Sequence, residues 1–487
     1  MSKTLSELGL TGGPALRDLR VTGLATDDRR VRPGDLFAAL PGSAVHGARF
    51  AAAALERGAA AVLTDPAGAA LLPPGAPAIV VEDARAALAF AAALMAGAQP
   101  ETMVAVTGTN GKTSVASFTR QIWEALGVVA ANVGTTGVEG AFHAPASHTT
   151  PEPVALHRLL AEMAAFGVTH TAMEASSHGL DQRRLEAVRL VAAAFTNLTQ
   201  DHLDYHGTMD AYFEAKAGLF DRLLPADGVA VVNLDDPRGP ALAAACEARG
   251  QEVIGTGRHP DARLRLTGQR FDATGQDVLF RWQGRAASAR LELIGGFQAG
   301  NALTAAGLAI GSGEDPDAVF AALPRLAGVR GRMQRAATRE AGGAVFVDYA
   351  HTPDAVATAL AALRPHVMGR IVAIVGAGGD RDRGKRPLMG AAAAGHADVV
   401  IVTDDNPRSE DPAAIRAAVI AGAPGAVEVA DRAEAILRGA AMLEPGDALL
   451  VMGKGHETGQ EVAGHVYPFD DREQASLAVA ALEGREA

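Results

Sequence analysis

The sequence predicts an α/β chain in three segments, the middle one a phosphate-loop-type domain on a parallel sheet, and three observations carry that prediction. Short apolar runs alternate with Ala-rich stretches of helical length through most of the 487 residues. Runs without polar alternation mark strands buried on both faces of a parallel sheet. A glycine turn, Thr107-Gly108-Thr109-Asn110-Gly111-Lys112-Thr113, stands between one such run and a helix-like segment. Strand, glycine turn, Lys-Thr and helix form the plan of a phosphate-binding loop. Finally, the alternation breaks at residues 261–294, where period-two patterning replaces it and suggests an antiparallel insert before a third α/β segment.

In order, residues 1–98 offer strands at Leu36-Phe37-Ala38-Ala39, Ala61-Val62-Leu63 and Ala78-Ile79-Val80-Val81, with Pro73-Pro74-Gly75 and Gln99-Pro100 as punctuation. Residues 99–327 open with Met103-Val104-Ala105-Val106 and the glycine turn, then a helix from Ser114 to about Leu126. Thr169 to Glu174, Ala192 to Asn197 and Gly228 to Asn233 read as further parallel strands. Residues 328–487 carry Val345 to Asp348, Arg370 to Val375, Val399 to Val402 and Ala448 to Met452.

Composition narrows the function classes. A net charge of -12 argues against general nucleic-acid affinity, while leaving room for local basic pockets. One cysteine, Cys246, excludes an internal disulfide framework and fits a reducing cytoplasm. The first residues carry no apolar signal core, and Ala-rich runs such as Leu88 to Ala98 fall short of the roughly 20 residues a membrane span needs.

The glycine turn points to a nucleoside triphosphate. Backbone N–H groups of Gly108, Thr109, Asn110 and Gly111 close around phosphate, Lys112 adds charge, and the Thr113 hydroxyl suits Mg²⁺. The common pattern has a glycine where Val106 stands, so this loop is tighter. Glu174 ends an apolar run and reads either as an Mg²⁺ ligand or as a strand-end cap to a neighbouring helix. Asp201, His202, Asp204 and His206 crowd one loop like a metal site, and Lys216 on its own reads as a helix-surface lysine. In the last segment, polar loops follow three strands. They offer Arg381 and Arg408 for carboxylates, and Asp405 and Glu457 for an ammonium, which suits a zwitterionic amino acid. Gly376 to Asp382 mimics a dinucleotide fingerprint but has Arg381 in place of the last glycine, against NAD.

Taken together, Gly34-Asp35-Leu36-Phe37, Thr107 to Thr113, Met173 to Gly179, Asn197 to Gly207, Asn301, Gly331-Arg332-Met333, Asp348 to Pro353, Gly379 to Pro387 and Gly453 to Glu457 resemble, in order, the Mur ligases. These are ATP-dependent amide-bond enzymes of peptidoglycan precursor synthesis. The resemblance covers essentially the whole chain. It implies a cytoplasmic monomer with a UDP-substrate-binding domain at 1–98, an ATP-binding domain at 99–327 and a Rossmann-like amino-acid-binding domain at 328–487. The Asp405-Asn406-Pro407-Arg408 motif is similar to the branch that adds meso-diaminopimelate to UDP-N-acetylmuramoyl-L-alanyl-D-glutamate, with Gly453 implied as a further residue of the amino-acid site; lysine-adding and folylpolyglutamate-type ligases are the alternatives.

By motif, the resemblance implies that Lys112 and the loop amides hold ATP, with Asn301, Arg332 and Asp348 as further nucleotide contacts. It implies Thr113, Glu174, His202 and a carbamylated Lys216 as the Mg²⁺ residues. Thr149, Thr150, Ser176, Gln182 and Arg184 match positions that bind the muramoyl-dipeptide, beside His148. Thr26, Asp28, Ser43, Ala44 and Val45 match its uridine side. Asp28 replaces a common Ser, His148 a common Asn and Gln298 a common Asn. The implied reaction needs no nucleic acid and no membrane insertion.

Overall fold

The computed structural model describes residues 2–42, 45–145 and 148–485. They fall into two compact units. One comprises Met1–Lys112, Trp123–Ile254 and Leu308–Glu314; the other comprises Thr113–Ile122, Gly255–Gly307 and Asp315–Ala487.

In the first unit, β1 (Lys3–Thr4) and β2 (Arg20–Val21) form a small antiparallel pair. Strands β3 (Gly23–Ala25), β4 (Asp35–Ala38), β5 (Ala61–Thr64) and β6 (Ala78–Val80) make a parallel sheet in that order. Every residue of β4 and β5 is buried, which is why these stretches read as continuous apolar runs. The helix Ala84–Ala96 covers this sheet with Leu88 and Ala91; Asp83 caps it by accepting from the Ala86 amide at 2.9 Å, and Gly97 (φ 88°) ends it.

The same unit holds β7 (Thr102–Thr107), β8 (Ala130–Gly134), β9 (Gly137–Gly140), β10 (His170–Glu174), β11 (Leu190–Phe195) and β12 (Val229–Asn233). Their order is β12-β11-β7-β10-β8-β9, parallel except at the β9 edge. Chain order therefore reverses at β7, the switch point where ligands bind in such sheets. Register does the rest: Glu174 lies opposite Val106 and Phe195 opposite Thr107. The segments after β7, β10 and β11 consequently emerge side by side.

Strand β13 (Glu252–Gly257) ends in the second unit. There Thr256 and Gly257 pair with β14 (Leu264–Asp272), which continues antiparallel into β15 (Gly275–Trp282) and β16 (Arg285–Leu291), as the period-two pattern predicts. The remaining sheet contains β17 (Gln334–Thr338), β18 (Ala344–Asp348), β19 (Ile371–Val375), β20 (Val399–Val402), β21 (Val427–Glu428) and β22 (Ala448–Met452), ordered β17-β18-β22-β19-β20-β21 and parallel except for β17. Alternate residues feed two cores: Phe346, Ile371, Ala373 and Val375 on one face, and Val345, Val347, Val372 and Ile374 on the other. A hairpin of β23 (Gly459–Val462) and β24 (His465–Pro468) follows. Its residues are half-buried or exposed, so no apolar run announces it in the sequence. Among the described residues no helix is long and apolar enough to cross a membrane.

Candidate active site

In the first unit the phosphate loop is braced by the segment after β11. The Thr196 hydroxyl donates to the Asn110 carbonyl at 2.6 Å, the Asn197 side chain accepts from the Asn110 amide at 2.9 Å, and the Thr109 amide donates to the Asn197 carbonyl at 2.8 Å. Gly108 has φ 147°, and a Cβ there would sit 1.8 Å from Thr196 Oγ1, so only glycine fits.

Two ammonium groups share one carbonyl. Lys112 Nζ donates to the Gly108 oxygen at 2.9 Å and to the Thr109 oxygen at 2.8 Å, while Lys216 Nζ donates to the Gly108 oxygen at 2.8 Å. Lys216 is 1% exposed and its Nζ lies 4.3 Å from the Tyr212 ring centroid. The helix-surface reading of Lys216 is thus corrected: its helix (Met209–Gly218) turns this residue inward against the loop. Burial first, and the Lys112 charge second, push its pKa well below that of an ordinary lysine.

Glu174, also buried, accepts from the Thr135 amide at 2.7 Å and from its hydroxyl at 3.2 Å. Thr135, which the sequence reading missed, further bonds the Thr149 hydroxyl at 3.0 Å. The residues expected on the dipeptide side form one connected cluster. The Thr150 hydroxyl donates to the Glu174 carbonyl at 2.9 Å and accepts from the Ser176 amide at 3.0 Å. Ser176 caps the next helix through the Gly179 amide at 3.0 Å. Arg184 donates to the Thr150 carbonyl and to Gln182 Oε1, both at 2.7 Å. On the proposed uridine side, Thr26 donates to Glu152 at 3.0 Å, Asp28 pairs with Arg57 at 3.3 Å, and Val45 is exposed. His148 is exposed as well; Ser43 and Ala44 lie outside the described residues.

The crowded histidine loop corrects another expectation. Among the described residues no three His, Cys, Asp or Glu side chains converge as a metal site. The turn Leu203–His206 stacks the rings instead: His178 lies 4.8 Å from His202, 4.2 Å from Tyr205 and 5.6 Å from His206. Burial lowers the pKa of His202, which favours its neutral, ligating form. The buried Glu174 carboxylate still fits Mg²⁺, which takes one or two protein carboxylates and completes its shell with phosphate and water.

The second unit carries the other nucleotide candidates. Arg332 donates to the Thr113 hydroxyl at 3.2 Å and its guanidinium lies 4.6 Å from the Tyr349 ring centroid. Asp348, at the end of β18, accepts from the amides of Met333 at 2.7 Å and Ala350 at 2.9 Å, and burial raises its pKa. Asn301 donates to Gln298 Oε1 at 3.0 Å, giving the unusual Gln298 a partner. His456, stacked 5.1 Å from Tyr349, is pushed down to about 4 by burial and then by Arg332.

Strands β22, β19 and β20 are neighbours, so their three polar loops meet as the sequence suggests. Asn406 Nδ2 donates to Glu457 Oε2 at 2.9 Å. Arg408, in the left-handed region at φ 51°, donates to the Gly379 carbonyl at 2.9 Å and faces Glu461 at 3.3 Å. Asp405 is buried and Gly453 packs so closely that a Cβ would lie 2.4 Å from its carboxylate. Arg381 is exposed and donates to the Asp380 carbonyl at 3.2 Å. Sequence reading missed the fully buried pair beneath it, Arg432 and Asp471 at 2.6 Å, whose arginine also donates to the Met452 carbonyl at 2.9 Å.

The chain matches three family models, described as Mur ligase family, catalytic domain (residues 20–95), Mur ligase middle domain (106–309) and Mur ligase, glutamate ligase domain (331–455). It is 51% identical, over the whole of both chains, to the UDP-N-acetylmuramoyl-L-alanyl-D-glutamate--2,6-diaminopimelate ligase of Caulobacter vibrioides. The enzyme of the same name from Bradyrhizobium diazoefficiens is 52% identical over 96% of each chain. A solved structure bearing that name matches with a TM-score of 0.73 at 34% identity, covering 99% of this chain and 100% of the other. A folylpolyglutamate synthase from Mycobacterium tuberculosis shares the fold with a TM-score of 0.62 at 21% identity, covering 82% of this chain and 95% of the other.

Proposed function

Since the chain belongs to the Mur ligase family, we propose that it is the ATP-dependent ligase that joins meso-diaminopimelate to UDP-N-acetylmuramoyl-L-alanyl-D-glutamate in the cytoplasm, acting as a monomer in three domains at 1–98, 99–327 and 328–487. The observation that carries the reading is the shared register of β7, β10 and β11, which brings the phosphate loop, Glu174 and Thr196–Asn197 to one sheet edge with Lys216 buried against Gly108.

ATP gives its terminal phosphoryl group to the side-chain carboxylate of D-glutamate, ADP leaves, and an acyl phosphate results. An amine of diaminopimelate attacks that carbonyl and loses a proton, and phosphate departs as the amide forms. Lys112 and the amides of Gly108 to Thr113 hold the phosphates in line. Lys112 turns from the Gly108 and Thr109 carbonyls to the transferring group. Asn301, Arg332 and Asp348 hold the nucleotide.

Thr113, Glu174, His202 and carbamylated Lys216 would hold Mg²⁺, which supplies neutralisation of the charge spreading over the phosphoryl group. A depressed pKa supports carbamylation, because only the neutral amine of Lys216 attacks CO₂; loss of a proton then leaves a carboxylate-like anion. Thr149, Thr150, Ser176, Gln182 and Arg184 position the dipeptide, with His148, Thr26, Asp28 and residues 43–45 toward uridine. Arg408 takes a diaminopimelate carboxylate, with Arg381, Asp405, Asn406, Pro407, Gly453 and Glu457 completing the amino-acid site.

The test is phosphate release with the UDP-dipeptide and meso-diaminopimelate, L-lysine or L-glutamate as acceptor. Release with meso-diaminopimelate above the other two is expected. Equal or better use of L-lysine refutes the substrate assignment, and release with L-glutamate only when a folate replaces the UDP-dipeptide makes this a folylpolyglutamate-type ligase.

A further inference from the structure

Resting on that reading, we propose that Lys454 is the positioning residue of the amino-acid site, setting the geometry of Glu457 and Asn406 without touching the substrate. Its side chain is 0% exposed, although lysine is almost never fully buried unless paired. The ammonium group has three N–H donors. One goes to Asn406 Oδ1 at 3.2 Å, one to Glu457 Oε2 at 3.3 Å, and one to the Gly459 carbonyl. All three donors are spent inside the protein, so none is left for a ligand.

Its acceptors belong to three different segments: the loop after β20, the loop after β22, and the first residue of the β23–β24 hairpin. Each is tied to the others around it. Asn406 Oδ1 also accepts from the Glu461 amide at 2.9 Å, and Gln460 donates to the Asp405 carbonyl at 2.7 Å. The Arg408 amide donates to the Glu461 carbonyl at 3.0 Å, and its carbonyl accepts from Ala463 at 2.7 Å. The hairpin thereby clamps residues 405–408, and Lys454 fastens the hairpin's first residue.

Orientation of Glu457 follows. Both of its side-chain bonds, from Asn406 and Lys454, fall on Oε2. Oε1 stays available on a carboxylate that is 34% exposed, the arrangement needed to accept an ammonium from solution. Without Lys454, Asn406 Oδ1 and Glu457 Oε2 lose a charged donor, and the carboxylate is held by the Asn406 bond alone.

The experiment compares Lys454→Met and Lys454→Gln with the unmodified enzyme, measuring KM for meso-diaminopimelate, ATP and the UDP-dipeptide separately and the rate ratio of meso-diaminopimelate to L-lysine. A charged hydrogen bond to the substrate ammonium, lost when Glu457 is mispositioned, corresponds to at least about 10-fold, so KM for meso-diaminopimelate rises about 10-fold or more in Lys454→Met. KM for ATP stays within about twofold, and the preference over L-lysine falls. Lys454→Gln, which keeps two donors, recovers part of the loss and carries the test if the methionine variant does not fold. An unchanged KM for meso-diaminopimelate overturns the proposal, as does an equal rise for all three substrates, which marks a scaffold role. Failure of the unmodified enzyme to use meso-diaminopimelate at all refutes the proposed function instead.

Discussion

Replacing Glu174 by glutamine separates a metal-supporting carboxylate from a strand-end cap. The side chain accepts from the Thr135 amide at 2.7 Å and the Thr135 hydroxyl at 3.2 Å. Glutamine keeps the shape and one carbonyl oxygen for the amide, and its NH₂ can donate to the hydroxyl once that rotates. A hydrogen bond to a charged group is worth about 1.5–3 kcal/mol and a neutral one about 1 kcal/mol, so stability falls by roughly 1–2 kcal/mol. A preorganised charge removed from a transferring phosphoryl group costs far more, about 100- to 1,000-fold in kcat. Phosphate release is measured across Mg²⁺ concentrations, alongside thermal unfolding. The expected result is a rate loss of that size, deepest at low Mg²⁺, with a small shift in unfolding midpoint. A rate within threefold of the unmodified enzyme at low Mg²⁺ refutes the argument and leaves Glu174 as a cap.

Lys216→Ala abolishes most turnover, and short carboxylic acids restore part of it by supplying the missing anion; absence of rescue in a folded variant counts against carbamylation. Because burial depresses the Lys216 pKa, its neutral fraction grows with pH, so activity at fixed dissolved CO₂ rises with pH below the usual lysine range; a flat profile contradicts this. Arg432→Met strands Asp471 in the core and lowers stability by about 3–5 kcal/mol, while Arg432→Met with Asp471→Leu recovers most of it, read by denaturant unfolding. His456, held at about 4, is neutral when folded and more readily protonated when unfolded, so its contribution is lost as pH falls from about 6.5 toward 4; His456→Gln flattens the unfolding midpoint across that window.

The motifs legible in the sequence are those whose chemistry is local. Gly108 must be glycine because the loop passes against Thr196, and the loop's Lys-Thr ending announces phosphate from the chain alone. The unbroken apolar runs foretold β7, β10, β11, β12, β18, β19, β20 and β22, because burial on two faces leaves few polar positions to blur them, while β8, with Asn132 in its middle, went unread. The period-two stretch at 261–294 foretold β14 to β16 for the complementary reason.

What escaped was set by contacts distant in sequence. The β23–β24 hairpin is short and its residues are half-buried or exposed, so no apolar run marks a strand, yet it clamps residues 405–408. Thr135 is an ordinary threonine until parallel pairing of β8 with β10 brings it to Glu174. Lys454 and Arg432 look like surface cations, because a sequence does not show which long side chains are given enough acceptors to be buried. The sequence by itself determined the chemistry this protein can attempt: phosphate binding, carboxylate activation and an amino-acid acceptor. Only the tertiary structure decided which charges are buried, and therefore that Lys216 is held as a depressed amine against the phosphate loop and Lys454 as a fixed post behind Glu457. Desolvation and hydrogen-bond geometry depend on neighbours distant in the chain as well as near ones: Asn406 lies 48 residues from Lys454, and Gly108 lies 108 from Lys216.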